Sequence, residues 1–116
     1  MSIHQGETMK AMFAAFATAA GLALASGAFA ADPKAAEALA KASGCFACHS
    51  IDKRIVGPAY KEVAAKYKKD KNAEASLIKK VKMGGKGAWG EMLMPPNAHV
   101  KDDDIKSIVH WILSIK

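Results

Sequence analysis

The chain has 116 residues, two cysteines and a formal net charge of +6 at pH 7, from 17 lysines and arginines against 11 aspartates and glutamates. This length limits it to one small domain, which buries little apolar surface and often needs a metal, disulfides or another cross-link. No internal repeat or low-complexity tract follows the first 30 residues, so a multidomain or repeat architecture is excluded.

The first 30 residues have the pattern of a secretory signal peptide. Lys10 precedes an almost uncharged, alanine-rich run, residues 11–30, that ends in Ala28-Phe29-Ala30. This composition and ending are typical of a cleaved leader. The alternative is a retained membrane anchor, but an alanine-dominated run is weakly apolar for a bilayer-spanning helix. We therefore predict a leader over 1–30 and a single domain over 31–116.

A first helix is predicted directly after the leader. Asp32 is a suitable N-cap, Pro33 suits the first helical position, and Gly44 ends the helix after Ser43. We expect its small inward face to allow a close crossing with the last helix. The residues predicted on this face are Ala35, Ala36, Leu39 and Ala40.

Cys45-Phe46-Ala47-Cys48-His49 follows, and C-x-x-C-H is the attachment signature of c-type haem. Two thiols one turn apart can each add across a porphyrin vinyl group, and the adjacent imidazole can then bind the iron. A disulfide or thioredoxin-like pair is the alternative, but it predicts a βαβ pattern that the sequence lacks. The motif predicts one haem c, held by Cys45 and Cys48, with His49 as an iron ligand.

Three further helices, and no strand pattern, are predicted in the rest of the chain. The second helix covers about residues 58–67, and the third begins after Asn72 and ends at Gly84. The fourth covers about 102–116 and has the clearest periodicity. Its apolar stripe consists of Ile105, Ile108, Val109 and Ile112.

Met94 is the predicted second iron ligand. It precedes Pro95-Pro96, which restrict the backbone and would hold the sulfur on a stiff loop. A thioether opposite His49 would occupy the sixth coordination position of the iron and raise its reduction potential. Other methionines and histidines are interpreted differently: Met83 and Met92 as core-filling side chains, His110 as solvent-exposed, and His99 as a rival ligand made awkward by the double proline.

Four segments occur in a fixed order along the chain: Gly44 with the haem motif, Val56-Gly57-Pro58-Ala59-Tyr60-Lys61, Gly87-Ala88-Trp89-Gly90, and Met94-Pro95-Pro96-Asn97. In these segments the chain resembles the small bacterial class I cytochromes c, specifically the cytochrome c-551 and c-552 group. The resemblance covers about residues 32–116. It implies an all-α, compact cytochrome c fold of four to five helices around one covalently attached haem.

The resemblance also implies roles for three residues around the haem. Pro58 matches a proline whose backbone carbonyl accepts a hydrogen bond from the proximal histidine, here His49, and such a bond orients the ring. Trp89 matches a tryptophan whose indole N–H contacts a haem propionate, and Asn97 matches an asparagine near the methionine ligand. The alternatives are a turn proline, a packing aromatic and a turn asparagine.

Departures from the family pattern lie outside the predicted iron ligands. His99 is an extra residue before the last helix, and Lys101 stands where relatives commonly have a capping serine, so Asp102 is the predicted substitute cap. Ala40 stands where some relatives have a bulky aromatic. We expect Phe46 to supply that bulk.

Two protein ligands on the iron favour an electron carrier over an enzyme, because a six-coordinate iron has no open position for oxygen or peroxide. The prediction is a soluble periplasmic carrier that cycles between Fe(II) and Fe(III). By resemblance it would connect a quinol-oxidising complex with a terminal oxidase or nitrite reductase. The alternative is a gas sensor or a peroxidatic haem protein from which Met94 dissociates.

The positive charge indicates the kind of partner. Glu7 and Lys10 are the only acidic or basic residues of the leader, so cleavage leaves the net charge at +6. We expect redox partners with acidic docking surfaces and salt-dependent transfer rates, although exposed lysines also occur without any function. Nucleic acid binding, membrane insertion after cleavage and stable oligomers are not expected. The lysines concentrated in mid-chain are Lys68, Lys69, Lys71, Lys79, Lys80, Lys82 and Lys86.

Overall fold

The computed structural model describes residues 32–116. The predicted leader and its cleavage site lie outside these residues. Within them, no helix is long and apolar enough to cross a membrane. The elements in chain order are α1 (Pro33–Ala42), a 3₁₀ turn (Cys45–Ala47), α2 (Tyr60–Lys66), α3 (Ala73–Met83), β1 (Gly85–Gly87), β2 (Gly90–Met94) and α4 (Asp102–Ser114).

Helix α1 begins and ends where the sequence predicts. The Asp32 side chain accepts a hydrogen bond from the Lys34 N–H at 3.0 Å, which satisfies one of the free N–H groups of the first turn. Its buried face is narrower than predicted, because Ala36 and Ala40 are buried whereas Ala35 is exposed. Ala36 and Ala40 lie one turn apart, and Ala35 lies about 100° around the helix from Ala36.

Helix α4 packs against α1 and α2 and forms the main core with them. Ala40 is completely buried there, and its small side chain permits the close approach of α1 to α4. Phe46 packs edge-on against Tyr60, with ring centroids 5.7 Å apart, and lies 6.5 Å from Trp111. The bulk expected from Phe46 is therefore present beside Ala40. The buried residues of this cluster are Ala36, Ala40, Tyr60, Val63, Ile108, Trp111 and Ile112.

Helix α3 packs on the other side of α4 around a smaller cluster. Ile105 and Val109 are almost fully buried, and Val100 in the preceding loop is buried with them. Leu77, Ile78 and Val81, at the three- and four-residue spacing of one helix face, are half-buried against this cluster.

A short β-hairpin occupies residues 85–94, where the sequence analysis predicts no strand. Gly85 pairs with Met94 and Gly87 with Gly90, with an irregularity in register between the two pairs. Three of these residues are glycines with positive φ, a composition that carries no strand propensity. The hairpin places Met94 at the end of a strand rather than in an open loop.

Helix α4 begins at Asp102 as predicted, but its capping residue differs from the prediction. Lys101 occupies the N-cap position and makes no side-chain capping bond, so the prediction of Asp102 as the cap is wrong. Asp102 Oδ1 instead lies 2.7 Å from Lys82 Nζ, which also donates to the Val100 carbonyl at 2.9 Å. Lys82 therefore joins the end of α3 to the start of α4, and this pairing draws the Asp102 carboxylate away from the helix N–H groups.

Candidate haem site

One open cavity, about 220 Å³ in volume, lies between the helices and the hairpin. Most of the cavity wall is apolar, with contributions from Tyr60, Val63, Leu77, Val109 and Ile112. These side chains also belong to the two core clusters, so the cavity opens directly into the core. All seven predicted site residues line it: Cys45, Cys48, His49, Pro58, Trp89, Met94 and Asn97.

The two cysteines lie in one turn of the chain at the cavity wall. Both are free thiols and half-buried. Gly44 starts the turn at φ +84°, and the His49 N–H donates to the Cys45 carbonyl at 3.0 Å. Burial raises the pKa of the Cys45 thiol, and a hydrogen bond with Tyr60 offsets part of that increase. Two thiols and one imidazole are thus held together at the edge of one apolar cavity.

The His49 ring is held by three contacts. Its Nδ1 lies 2.8 Å from the Pro58 carbonyl oxygen, which can only accept, so Nδ1 carries the proton and Nε2 is left available to a metal. The ring stacks on Tyr60, with centroids 5.1 Å apart and planes 19° from parallel. Gly57 lies against the ring, since a Cβ at that position would be 2.6 Å from His49 Cε1.

Replacing Gly57 by alanine tests this arrangement. Gly57 is not in a left-handed conformation, so the added methyl brings a collision without backbone strain. We expect the methyl to turn the His49 ring away from Pro58 and to destabilise the holoprotein by about 1–3 kcal/mol, the usual cost of overpacking. Hydrogen exchange at His49 Nδ1, measured by NMR, should accelerate in the Gly57→Ala protein. Unchanged exchange would contradict this account of the ring's position.

Trp89 lies half-buried in the hairpin turn between two cationic side chains. Lys66 Nζ is 4.6 Å from the ring centroid and donates to the Ala88 carbonyl at 2.8 Å. Arg54 Cζ lies 5.6 Å from the same ring. Such cation–π contacts attach the hairpin turn to α2 and to the loop after the haem motif. Sequence reasoning did not identify Arg54 or Lys66 as neighbours of Trp89, because no local pattern connects these distant positions.

The segment from Met94 to Asn97, here called the strap, runs from the end of β2 across the end of α3. Met94 is half-buried and lines the cavity. The Asn97 side-chain amide donates to the Val81 carbonyl at 3.2 Å and the Pro95 carbonyl at 3.3 Å. The Asn97 backbone N–H also donates to Val81, at 3.0 Å. Asn97 therefore fastens the strap to α3.

Within residues 32–116, the other methionines and histidines are more exposed than Met94 and His49. Met83 is 66% exposed and Met92 is 64% exposed, so their interpretation as core-filling side chains is wrong. Met83 is the last residue of α3, and Met92 lies on a two-stranded sheet that no other strand covers. His110 is exposed, as predicted, and His99 is exposed without lining the cavity.

These residues suit a covalently attached haem. Cys45 and Cys48 offer two thiols, His49 and Met94 offer a nitrogen and a sulfur donor, and the apolar walls suit a porphyrin face. At the other end of the cavity, Trp89 and Arg54 provide an indole N–H and a positive charge, which suit propionate carboxylates. Nothing in the donor set argues for a different prosthetic group.

A family model described as cytochrome c matches residues 33–116. The chain belongs to the cytochrome c family. It is 57% identical over 77 residues to cytochrome c-551 of Allochromatium vinosum, an alignment that covers 66% of this chain and 82% of that protein. It is 51% identical over 98 residues to cytochrome c-551 of Pseudomonas aeruginosa, covering 84% and 90% respectively.

A structural comparison agrees with the sequence comparisons. The crystal structure of wild-type Nitrosomonas europaea cytochrome c552 superimposes with a TM-score of 0.67 at 45% sequence identity, covering 69% of this chain and 99% of that chain. The predicted resemblance to the c-551 and c-552 group and the mainly helical cytochrome c fold are confirmed, with the short hairpin as an addition. Family membership implies one covalently attached haem c and supports a single-haem electron carrier.

Proposed function

We propose that this protein is a soluble periplasmic electron carrier with His49 and Met94 as axial iron ligands and Cys45 and Cys48 as thioether attachments. The observation that supports the proposal is the convergence of all four on one apolar cavity, although they come from two separate parts of the fold, the haem motif and the end of β2. By resemblance, the carrier would link a quinol-oxidising complex to a terminal oxidase or a nitrite reductase.

The haem bound in this site supplies a one-electron couple between Fe(II) and Fe(III). The residues of the chain set the reduction potential of that couple and shield the haem from water. The hydrogen bond from His49 Nδ1 to Pro58 orients the imidazole and makes Nε2 a stronger donor. A thioether from Met94 favours the reduced state and so raises the potential. The apolar walls exclude water, which also affects the potential.

Absorbance spectra of the purified holoprotein test the proposal. Methionine ligation predicts a charge-transfer band near the red end of the ferric spectrum. If both axial positions stay occupied, added carbon monoxide should leave the ferrous spectrum unchanged. A pyridine haemochrome spectrum should show two thioether links. Carbon monoxide binding to the wild-type ferrous protein would instead favour the sensor or peroxidatic alternative, in which Met94 leaves the iron.

The periplasmic location depends on the predicted leader. If residues 1–30 are removed on export, the haem-loaded protein recovered from the periplasm should begin at Ala31. Intact mass and N-terminal sequencing of the protein expressed from the full chain measure this directly. Accumulation of uncleaved, haem-free chain in the cytoplasm would contradict the proposed route.

Acidic docking surfaces on the redox partners are proposed from the charge of the chain. Lysines such as Lys68, Lys69 and Lys79 are exposed. Lys80 and Lys86 line the cavity that would hold the haem, so part of the positive charge lies beside the proposed haem site. Attraction between opposite charges accelerates association of the two proteins, and salt shortens the distance over which that attraction acts.

The rate of electron transfer to an acidic partner should therefore fall as salt is added. Raising the ionic strength from about 10 mM to about 1 M shortens the screening length from about 30 Å to about 3 Å. We expect the bimolecular rate constant to fall by about tenfold or more over this range, since steering contributes about 10–1,000-fold. Stopped-flow kinetics measure the rate, and light scattering at each salt concentration checks the proposed monomer. A rate constant independent of salt would contradict steering by charge.

A further inference from the structure

Helix α3 ends at a glycine whose backbone conformation excludes most other residues. The chain leaves the helix at Gly84 with φ +70° and ψ −164°, and the Gly84 N–H donates to the Lys80 carbonyl at 2.7 Å. A positive φ combined with this extended ψ is a backbone region that essentially only glycine adopts. The conformation alone therefore disfavours a side chain here.

The strap crosses directly over the same glycine. A Cβ atom on Gly84 would collide with the Met94 carbonyl oxygen, and it would lie 2.8 Å from Pro96 N and 2.9 Å from the Pro95 carbonyl carbon. All three contacts involve backbone atoms rather than the flexible end of a side chain. The two prolines also restrict how the strap can bend. A side chain at position 84 must therefore push the strap away from α3.

The strap is also held close to this contact by hydrogen bonds. The Val81 carbonyl accepts from the Asn97 backbone N–H at 3.0 Å and from the Asn97 side-chain amide at 3.2 Å. Val81 and Gly84 lie about one helical turn apart, so the strap is bonded to one point of the helix end and lies against the other. Met94, the first residue of the strap, lines the cavity, whereas Gly84 does not.

We infer that Gly84 is a positioning residue for Met94. Because Gly84 has no side chain, the strap can lie against the end of α3, and this contact sets how far the Met94 thioether enters the cavity. The inference rests on the proposed function, in which Met94 binds the iron. A strap lifted from α3 should weaken the hold of Met94 on the iron and leave the His49 side of the cavity unchanged.

Two alanine substitutions separate the collision from backbone strain. Gly84 and Gly90 both have positive φ, +70° and +101°, but a Cβ on Gly90 would meet nothing within 4 Å, and Gly90 does not line the cavity. In the haem-loaded ferric protein, imidazole should displace Met94. We expect Gly84→Ala to bind imidazole about tenfold more tightly than wild type, equivalent to about 1.4 kcal/mol, and Gly90→Ala to stay within about twofold. The methionine–iron band should weaken only in Gly84→Ala.

A second readout reports the strap itself. Amide hydrogen exchange at Asn97 should accelerate in Gly84→Ala, because the bond to Val81 lengthens, and should be unchanged in Gly90→Ala. Asn97→Ala serves if Gly84→Ala does not fold, because it removes the side-chain bond to Val81 and loosens the strap without adding a side chain at position 84. It should also bind imidazole more tightly than wild type.

Wild-type imidazole affinity in Gly84→Ala, or in Asn97→Ala if only that variant folds, would overturn the inference, as would equal effects of Gly84→Ala and Gly90→Ala. These outcomes differ from a failure of the proposed function. If Met94 does not bind the iron, the wild-type protein itself lacks the methionine–iron band. A wild type with the band and with unresponsive variants refutes only the positioning role.

Discussion

Replacing Met94 by alanine will open the iron to added ligands and lower its reduction potential. Axial ligands set haem potentials over a range of about 0.8 V, and loss of a thioether should lower this one by on the order of 100 mV or more. In the wild-type chain Met94 is half-buried at the cavity wall, on a strap that Asn97 and Gly84 hold against α3. No other methionine is held in this way within residues 32–116.

Spectroelectrochemistry measures the potential, and the ferric spectrum reports the ligand. Met94→Ala should lose the methionine–iron band, and its ferrous form should bind carbon monoxide. Met92→Ala is the matched control, because Met92 belongs to the same strand and lines the same cavity but is 64% exposed. It should keep the band. Loss of the band in Met92→Ala with retention in Met94→Ala would show that the wrong methionine has been assigned.

Preventing haem attachment should leave the chain largely unfolded. A Cys45→Ser/Cys48→Ser chain prepared without haem keeps a cavity whose walls are the core itself, including Tyr60, Val63 and Ile112. Without haem these apolar walls face water, so the free energy gained by burying them against the porphyrin is lost. Small domains have a total stability of only about 5–15 kcal/mol, so they tolerate such a loss poorly.

Far-ultraviolet circular dichroism during heating and amide exchange both measure this effect. The haem-free double variant should show weak helicity and no cooperative transition, whereas the haem-loaded wild type should unfold in a single sharp step. Helix α4 is the longest helix within residues 32–116 and is the element expected to retain the most residual structure, because helix formation improves with length. A sharp, native-like transition in the haem-free protein would show that the helices fold without the cofactor.

The features that the sequence predicts correctly depend on local chemistry. The Asp32 cap, Pro33 and the glycine that follows α1 act within one or two helical turns, so the bounds of α1 are readable from neighbouring residues. The apolar stripe of α4 is a repeat within one element, and its residues are buried as predicted. The C-x-x-C-H motif is likewise complete within five consecutive residues.

The features that the sequence missed depend on residues brought together from distant positions. The hairpin at 85–94 has too little strand propensity in its glycines to be predicted, and it forms where the chain must return from the end of α3 to the cavity. Asp102 is a reasonable cap by local rules, but Lys82 pairs with its carboxylate. Met83 and Met92 are of a residue type common in protein cores, and yet both are exposed, Met92 at the wall of the cavity that would hold the haem.

By itself, the sequence determined the cofactor, the family, the helices and the residues proposed to bind the iron, because each is encoded in a short motif or a regular repeat. Only the tertiary structure decided how those residues are held. Pro58 and Gly57 fix the His49 ring, two cations hold the Trp89 turn, and Gly84 lets the strap lie against α3. Such contacts join distant segments at van der Waals or hydrogen-bond distance, and only close packing in three dimensions specifies which atoms meet.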